Sequence, residues 1–318
     1  MTRLRVAILE AFDPVMQTRI QEIVGPDFDL IFPASNSEED RITALANVRY
    51  AVVRAVKMPA SMLDAAPDLA LLHQWGTGTD GLPVPEALAK RLTVARSPGK
   101  NAASVADHTV GLMLAVMKRI CVGDARVRAG DWLEPGIYEK GRDLNGATVG
   151  LVGFGAIAQC VARRLSGFDC EVLYTRRSGA LEGHAGHVSF DELIARSDVV
   201  SLHVPLTEAT RHLINEDTLA RMKKGAFLVN TARGGVIDQD ALLQALETGH
   251  IAGAALDVFD PEPLPLHHPL RSAPNTVLTP HMSGGTQDNL ARIVGHWAQN
   301  VRKHAEGAAL DQGDLVTA

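Results

Sequence analysis

Cysteine is scarce in this chain, and what little there is forms no pattern. Three cysteines stand in 318 residues, at Cys121, Cys160 and Cys170. The number is odd and no C-x-x-C occurs, which excludes a disulfide framework and a thioredoxin-type pair. Reduced thiols in a cytoplasmic protein are expected. No His/Cys cluster has metal-ligand spacing, so no metal is expected. Long apolar runs are missing too. None approaches the about 18 residues of a membrane span, and the start, MTRLRVAILEAF, breaks its apolar run at Glu10, too early for a secretion signal. Positive charge is not in excess: at a net charge of −6 nothing favours nucleic acid or an anionic membrane as partner. There is no internal repeat and no low-complexity tract. What remains is 46% hydrophobic and 21% charged, the composition of a soluble globular protein. The length suits two domains with a core that needs no staples.

The stretch Thr148 to Arg177, TVGLVGFGAIAQCVARRLSGFDCEVLYTRR, organises the chain. Val149 to Val152 reads as a buried strand, Ile157, Val161 and Leu165 recur at helical spacing, and Glu171 to Tyr174 closes a β-α-β unit. A G-x-G-x-x-G/A turn stands between strand and helix, where its mechanism needs it. Gly153 allows the turn, Gly155 lets a pyrophosphate approach the backbone, and Ala158 lets helix and strand pack closely. The helix start then offers N–H groups and a positive dipole end to phosphates. An NAD-type site wants Asp or Glu about 20 residues on, to hold a ribose 2′-OH. Here the strand ends in Tyr174-Thr175-Arg176-Arg177. Guanidiniums match phosphate oxygens, so NADP is expected over NAD.

Before this unit, strands are expected at Leu4–Leu9, Asp29–Phe32, Tyr50–Val53 and Leu69–His73, with helices at Pro14–Ile23, Glu38–Leu45 and Pro59–Ala65. The alternation argues for a parallel sheet covered on both faces. The stretch His73 to Gly81, HQWGTGTDG, follows a strand end. Its alternating glycines make either an anion nest or a plain turn. Arg54, just past another strand end, is a second candidate charge for a ligand or an ordinary surface residue. Ser97-Pro98-Gly99 is a plausible domain crossing. Asn101 to Ile120 reads as a long helix, apolar nearly all round, hence buried or shared with a partner chain. Asp124 to Asn145, with Gly130, Asp131, Trp132 and Pro135, reads as a polar excursion.

Beyond the glycine turn, helices are expected at Ser189–Ala195, Asn215–Met222, Asp238–Thr248 (Asp238 as N-cap) and Gln287–His304. Strands are expected at Asp198–His203, Ala226–Asn230, Gly253–Leu256 and Asn275–Leu278. Three chemical candidates lie at or just past strand ends, where an open α/β sheet meets its ligand. Arg233 follows Thr231-Ala232 and has the fork to clamp a carboxylate. Glu262 stands between Pro261 and Pro263, which restrict its backbone. His281 follows Thr279-Pro280. Each alone has a bland reading: ion pair, rigid turn, or one stray histidine of 12.

The segments VGLVGFGAIAQCVA, SLHVPLTEATRHLIN, GAFLVNTARGGVID, AALDVFDPEPLP and LTPHMSGGT resemble the D-isomer-specific 2-hydroxyacid dehydrogenases in content and order. NAASVADHTVGLMLAVMKR resembles that family's long interdomain helix. Pro261 to Leu270 and the arginines after the second strand look most like the glyoxylate and hydroxypyruvate reductase branch. The resemblance implies two doubly wound parallel-sheet α/β domains. A Rossmann cofactor domain (100–284) would be inserted into a discontinuous flavodoxin-like substrate domain (1–99 and 285–318), hinging near Gly99 and Gly284. No further regulatory domain is expected after Ala318, and the long helix suggests a homodimer.

The resemblance also implies roles. His281 would be the general acid on the ketone oxygen, and Glu262 its partner, favouring the charged imidazole. Arg233 would bind the substrate carboxylate, helped by backbone N–H groups of Gly76, Thr77 and Gly78, with Arg54 a candidate contact. Expected cofactor contacts are Gly153, Gly155, Ala156, Ile157, Thr175, Arg176, Arg177, His203, Val204, Pro205, Thr231, Ala232, Asp257, His281 and Gly284. The expected reaction is reduction of a small 2-oxo acid, glyoxylate or hydroxypyruvate, by NADPH. Alternatives are pyruvate or a larger 2-oxo acid, or a dinucleotide sensor that turns nothing over. Formate oxidation is disfavoured, because that branch does not pair its His with a Glu.

Overall fold

The computed structural model describes residues 3–132 and 136–317; Pro135 of the expected excursion lies outside the described residues. The chain divides into two compact units, Met1–Asn101 with Thr286–Ala318, and Ala102–Gly285. No helix among the described residues is long and apolar enough to cross a membrane.

The first unit is built on strands β1 (Leu4–Ile8), β2 (Phe28–Ile31), β3 (Tyr50–Val53), β4 (Leu71–Gln74) and β5 (Thr93–Ala95). All pair in parallel, in the order β2-β1-β3-β4-β5. That is the flavodoxin-like order. Residues of β3 and β4 are buried throughout, as a sheet covered on both faces requires. Helices α1 (Pro14–Val24) and α2 (Glu38–Leu45) start on caps: Asp13 accepts from Met16 N–H and Ser37 from Asp40 N–H. The C-terminal helix Gln287–Ala305, capped by Thr286, returns to this unit. It packs Ile293, Val294, Trp297 and Val301 against Val6, Ile8 and Trp75.

Two details differ from the sequence reading. The helix expected at Pro59–Ala65 is a short 3₁₀ turn, Ala60–Leu63. Strand β5 and helix α3 (Val84–Ala89) have three and six residues, too few for a period to show.

The second unit opens with α4 (Ala102–Met117), α5 (Ile120–Arg128) and α6 (Ile137–Lys140). Strands β6 (Thr148–Val152), β7 (Glu171–Thr175), β8 (Val199–Leu202), β9 (Ala226–Asn230), β10 (Ile251–Leu256) and β11 (Thr276–Leu278) follow. Helices α7 (Ala156–Leu165), α8 (Phe190–Arg196), α9 (Glu216–Arg221) and α10 (Gln239–Glu247) lie between them. The sheet is parallel, in the order β11-β10-β9-β8-β6-β7. A one-residue parallel bridge from His187 to Tyr174 flanks the outer side of β7. Counted as a third strand, it gives the doubly wound order 3-2-1-4-5-6, with β11 added as a seventh strand beside β10.

Helix α4 is buried within this unit, with Val105, Ala106, Val110, Met113 and Val116 inside. The expected single helix to Ile120 instead breaks at Arg119, whose backbone is left-handed (φ 55°). It resumes as α5, which corrects the polar excursion over 124–128. Helix α5 has no buried residue, so no buried face marks it. The Asp124–Arg128 pair at 2.8 Å, one turn apart, supports it locally.

Candidate active site

The glycine turn is shaped by contact. Gly153 has φ +90°, and a Cβ there would stand 2.6 Å from the His203 carbonyl oxygen, so only glycine fits. A Cβ on Gly155 would meet nothing within 4 Å, so the turn is open on the side where a phosphate would sit. No side chain caps α7, leaving the first N–H groups, those of Ala156 and Ile157 among them, available for an anion. Ala158 is fully buried against the sheet. These residues fit a dinucleotide.

Around that turn, each strand end brings its candidate. At the end of β7, Thr175 and Arg176 are half-buried and Arg177 is exposed; Arg176 Nε donates to Ser178 Oγ at 2.7 Å. His203 follows β8, with Nε2 3.0 Å from Ser201 Oγ. Desolvation pushes its pKa down to about 4, so the ring is neutral at neutral pH. Val204 and Pro205 follow it.

Beyond β9, the buried Asn230 ties the next loop. Its Oδ1 accepts from Ala232 N–H and its Nδ2 donates to the Arg233 carbonyl, both at 2.9 Å. Thr231 Oγ1 lies 2.9 Å from Thr109 Oγ1 of α4. Arg233 Nη1 donates to the Ala232 carbonyl at 2.8 Å. A Cβ on Gly234 would collide with the Phe259 carbonyl, so glycine there lets the Arg233 loop approach the loop that carries Glu262.

Asp257, fully buried at the end of β10, organises the last loop. Its Oδ1 accepts from Thr279 Oγ1 (2.6 Å) and Met282 N–H (2.9 Å), and its Oδ2 from Ser283 N–H (3.0 Å). His108 Nε2 stands 3.6 Å from Oδ1. Burial pushes this carboxyl up, but the His108, Thr279 and backbone hydrogen bonds outweigh it and hold the pKa at about 2. The Asp257 carbonyl accepts from His281 N–H at 2.7 Å. His281 is thereby held in the left-handed region, φ 50°, uncommon for a non-glycine residue.

The His281 ring meets Glu262: Nδ1 to Oε2 is 2.8 Å. The other carboxylate oxygen, Oε1, accepts from Phe259 N–H at 3.0 Å. Burial raises the Glu262 carboxyl, but the His281 and Phe259 hydrogen bonds and the nearby Arg233 charge bring it below the usual range. Glu262 is therefore ionised at neutral pH, an acceptor that orients the imidazole and leaves Nε2 for other partners. Gly284 closes the loop just before the unit ends.

The remaining candidates stand in the first unit. Gly76, Thr77 and Gly78 follow β4. The Gly76 carbonyl accepts from Ser97 N–H at 2.8 Å, and Thr77 Oγ1 accepts from Gly99 N–H at 3.3 Å. A Cβ on Gly76 would enter open space. Arg54 follows β3 and is already engaged: Nη1 lies 3.5 Å from the buried Glu10 carboxylate, and the guanidinium stands 5.8 Å from the Phe12 ring centre. Trp75, next to the Gly76 turn, is core, packed between Phe12 and Trp297.

Sequence reasoning passed over Asn230, His108 and Thr279. A polar residue closing a fully apolar strand was the available signal for Asn230. His108 and Thr279 act across 171 positions of sequence and carry none.

Two parallel α/β sheets, one with a phosphate-ready glycine turn and a histidine–carboxylate pair past its strand ends, define a dinucleotide-dependent oxidoreductase. Comparison agrees and is narrower. The family described as D-isomer specific 2-hydroxyacid dehydrogenase, NAD binding domain, matches residues 110–283. A glyoxylate reductase of Thermofilum pendens is 44% identical over 77% of this chain and 74% of its own. A hydroxypyruvate reductase of Thermotoga maritima is 36% identical over 88% and 92%. The solved structure of the TT0316 protein of Thermus thermophilus superposes with a TM-score of 0.87 at 33% identity, over 99% of this chain and 100% of that one. The chain belongs to the D-isomer specific 2-hydroxyacid dehydrogenases, oxidoreductases acting on CH–OH donors with a nicotinamide dinucleotide.

Proposed function

We propose that this enzyme reduces glyoxylate or hydroxypyruvate to the D-2-hydroxy acid, with NADPH preferred, reversibly. The observation that carries the reading is the His281–Glu262 pair at 2.8 Å. The bound cofactor supplies the hydride. His281 gives its proton to the developing alkoxide in reduction and takes it back in oxidation. Glu262 holds the ring and balances its charge. Arg233 grips the substrate carboxylate and polarises the carbonyl beside it. Gly76, Thr77 and Gly78 offer it backbone N–H groups. Arg54, with its charge shared by Glu10, is a lesser contributor. Thr231, Ala232, His203, Val204, Pro205, Asp257 and Gly284 line the cofactor, and Arg176, Arg177 and Thr175 take a 2′-phosphate. The relatives named glyoxylate reductase and hydroxypyruvate reductase support the substrate class.

Exposed apolar side chains at Ile120, Val127, Trp132 and Tyr138 support a homodimer, since single chains rarely leave so many uncovered along one stretch. Sedimentation equilibrium at the mass of two chains would agree with it, and at one chain refute it.

Initial rates with each 2-oxo acid, against NADPH and NADH, test the whole reading. Fast oxidation of NADPH alone is expected, and replacing both Arg176 and Arg177 with Ala should cost NADPH at least about tenfold more than NADH. Equal use of both cofactors would discard the arginine assignment. No oxidation with either would discard the substrate.

A further inference from the structure

Cofactor selectivity is ordinarily sought in the side chains that touch the 2′ position. Here the loop that carries them is held by a residue beneath it. From Thr175 to Phe190 no residue is buried. Its apolar residues Leu181, Val188 and Phe190 pack against the core only partly buried, and ordering the rest of the loop costs backbone entropy. Tyr174, fully buried at the end of β7, supplies the anchorage through both its phenol and its backbone. Its phenol Oη accepts from Leu181 N–H at 2.8 Å and donates to the His184 carbonyl at 3.2 Å. Its backbone N–H donates to the Gly186 carbonyl at 2.8 Å, and its carbonyl accepts from Val188 N–H at 3.0 Å. Gly186, at φ +88°, brings the chain so close to Val172 that a Cβ would collide with that carbonyl. The Tyr174 ring is fixed in turn by Phe154, the residue between the two glycines of the phosphate turn. The rings stack at 3.8 Å between centres and 20° between planes.

We propose that Tyr174 is a positioning residue for cofactor choice: its phenol straps the Arg176–Gly186 loop so that Arg176 and Arg177 stand ready for a 2′-phosphate. This rests on the reading of those arginines above. NADH has no 2′-phosphate and makes no use of the strap. Only NADPH binding repays a pre-ordered arginine pair, because a mobile pair must be ordered at the moment of binding. Tyr174→Phe removes both phenol bonds and keeps the stack on Phe154. The freed Leu181 N–H and His184 carbonyl belong to a half-buried and an exposed residue, and the backbone bonds of residue 174 to Gly186 and Val188 remain, so the fold stands.

The test is calorimetric titration of NADPH and of NADH, without substrate, into the full chain, Tyr174→Phe, the double variant Arg176→Ala/Arg177→Ala, and the triple combination. Tyr174→Phe is expected to weaken NADPH about five- to tenfold, the worth of one to two such hydrogen bonds, and to leave NADH within about twofold. Added to the double arginine variant, it should change nothing further. Faster amide exchange across 176–186 should accompany it. Equal weakening of both cofactors, or none for NADPH, overturns the proposal while the arginine reading stands. A double arginine variant that keeps the wild-type ratio of NADPH to NADH affinity overturns the arginine reading, and the strap with it.

Discussion

His281 carries the proposed proton from an uncommon backbone position, and the structure shows what holds it there. The left-handed turn puts its N–H on the Asp257 carbonyl and its ring Nδ1 on Glu262. Both restraints leave the side chains partly exposed, 45% for His281 and 36% for Glu262, so the pair is a device for orientation more than for stability. His281→Ala is accordingly expected to lower kcat by at least about a hundredfold while the cofactor still binds in titration. A variant with a near-normal rate would sink the assignment of the general acid. Glycine at 234 belongs to the same scale: its hydrogen atom is what lets the Arg233 and Glu262 loops touch.

At the scale of elements, the strand ends do the assembling. The loop after β10 and the segment after β11 are joined by the Asp257 carboxylate, which takes three hydrogen bonds from Thr279, Met282 and Ser283. Asp257→Asn turns an NH₂ group toward at least one of these donors. Hydrogen bonds to a buried charge are worth about 1.5–3 kcal/mol each, so a loss of about 2–4 kcal/mol is expected in urea unfolding. An unchanged midpoint would show that the carboxylate does not hold the loop. The fold class was readable at this scale, because β-α-β alternation with fully buried strands leaves few arrangements. Asp238 is the N-cap its sequence position suggests, accepting from Asp240 and Ala241 N–H. Helix α5, which buries none of its residues, and the short β5 were not readable, since neither has a period long enough to stand out.

For the molecule as a whole, buried histidines set the response to acid. His73, on β4, is fully buried. Burial is the main cause that lowers its pKa to about 4, with His296 adding to it and the Gln74 carbonyl and Asp314 opposing. The folded chain thus binds this proton more weakly than the unfolded chain, whose value is 6.5. Stability is complete above that value and is lost as pH falls from 6.5 toward 4. At about 1.36 kcal/mol per unit, the full loss is roughly 3 kcal/mol. Urea midpoints by circular dichroism should therefore fall as the pH is lowered from neutral toward about 4. A flat profile would show that His73 is protonated in the fold at no cost.

The sequence by itself determined the class of fold, the glycine turn, the family and the residue types at the strand ends. Those follow from local period, from turn chemistry and from motifs read in order. Only the tertiary structure decided which of these side chains meet. The order β11-β10-β9-β8-β6-β7, the Asn230 tie under Arg233, the His108–Thr279 contact and the Tyr174 strap depend on how the chain returns to itself. Local periodicity reports which way a residue faces. It carries no information about which distant residue faces back.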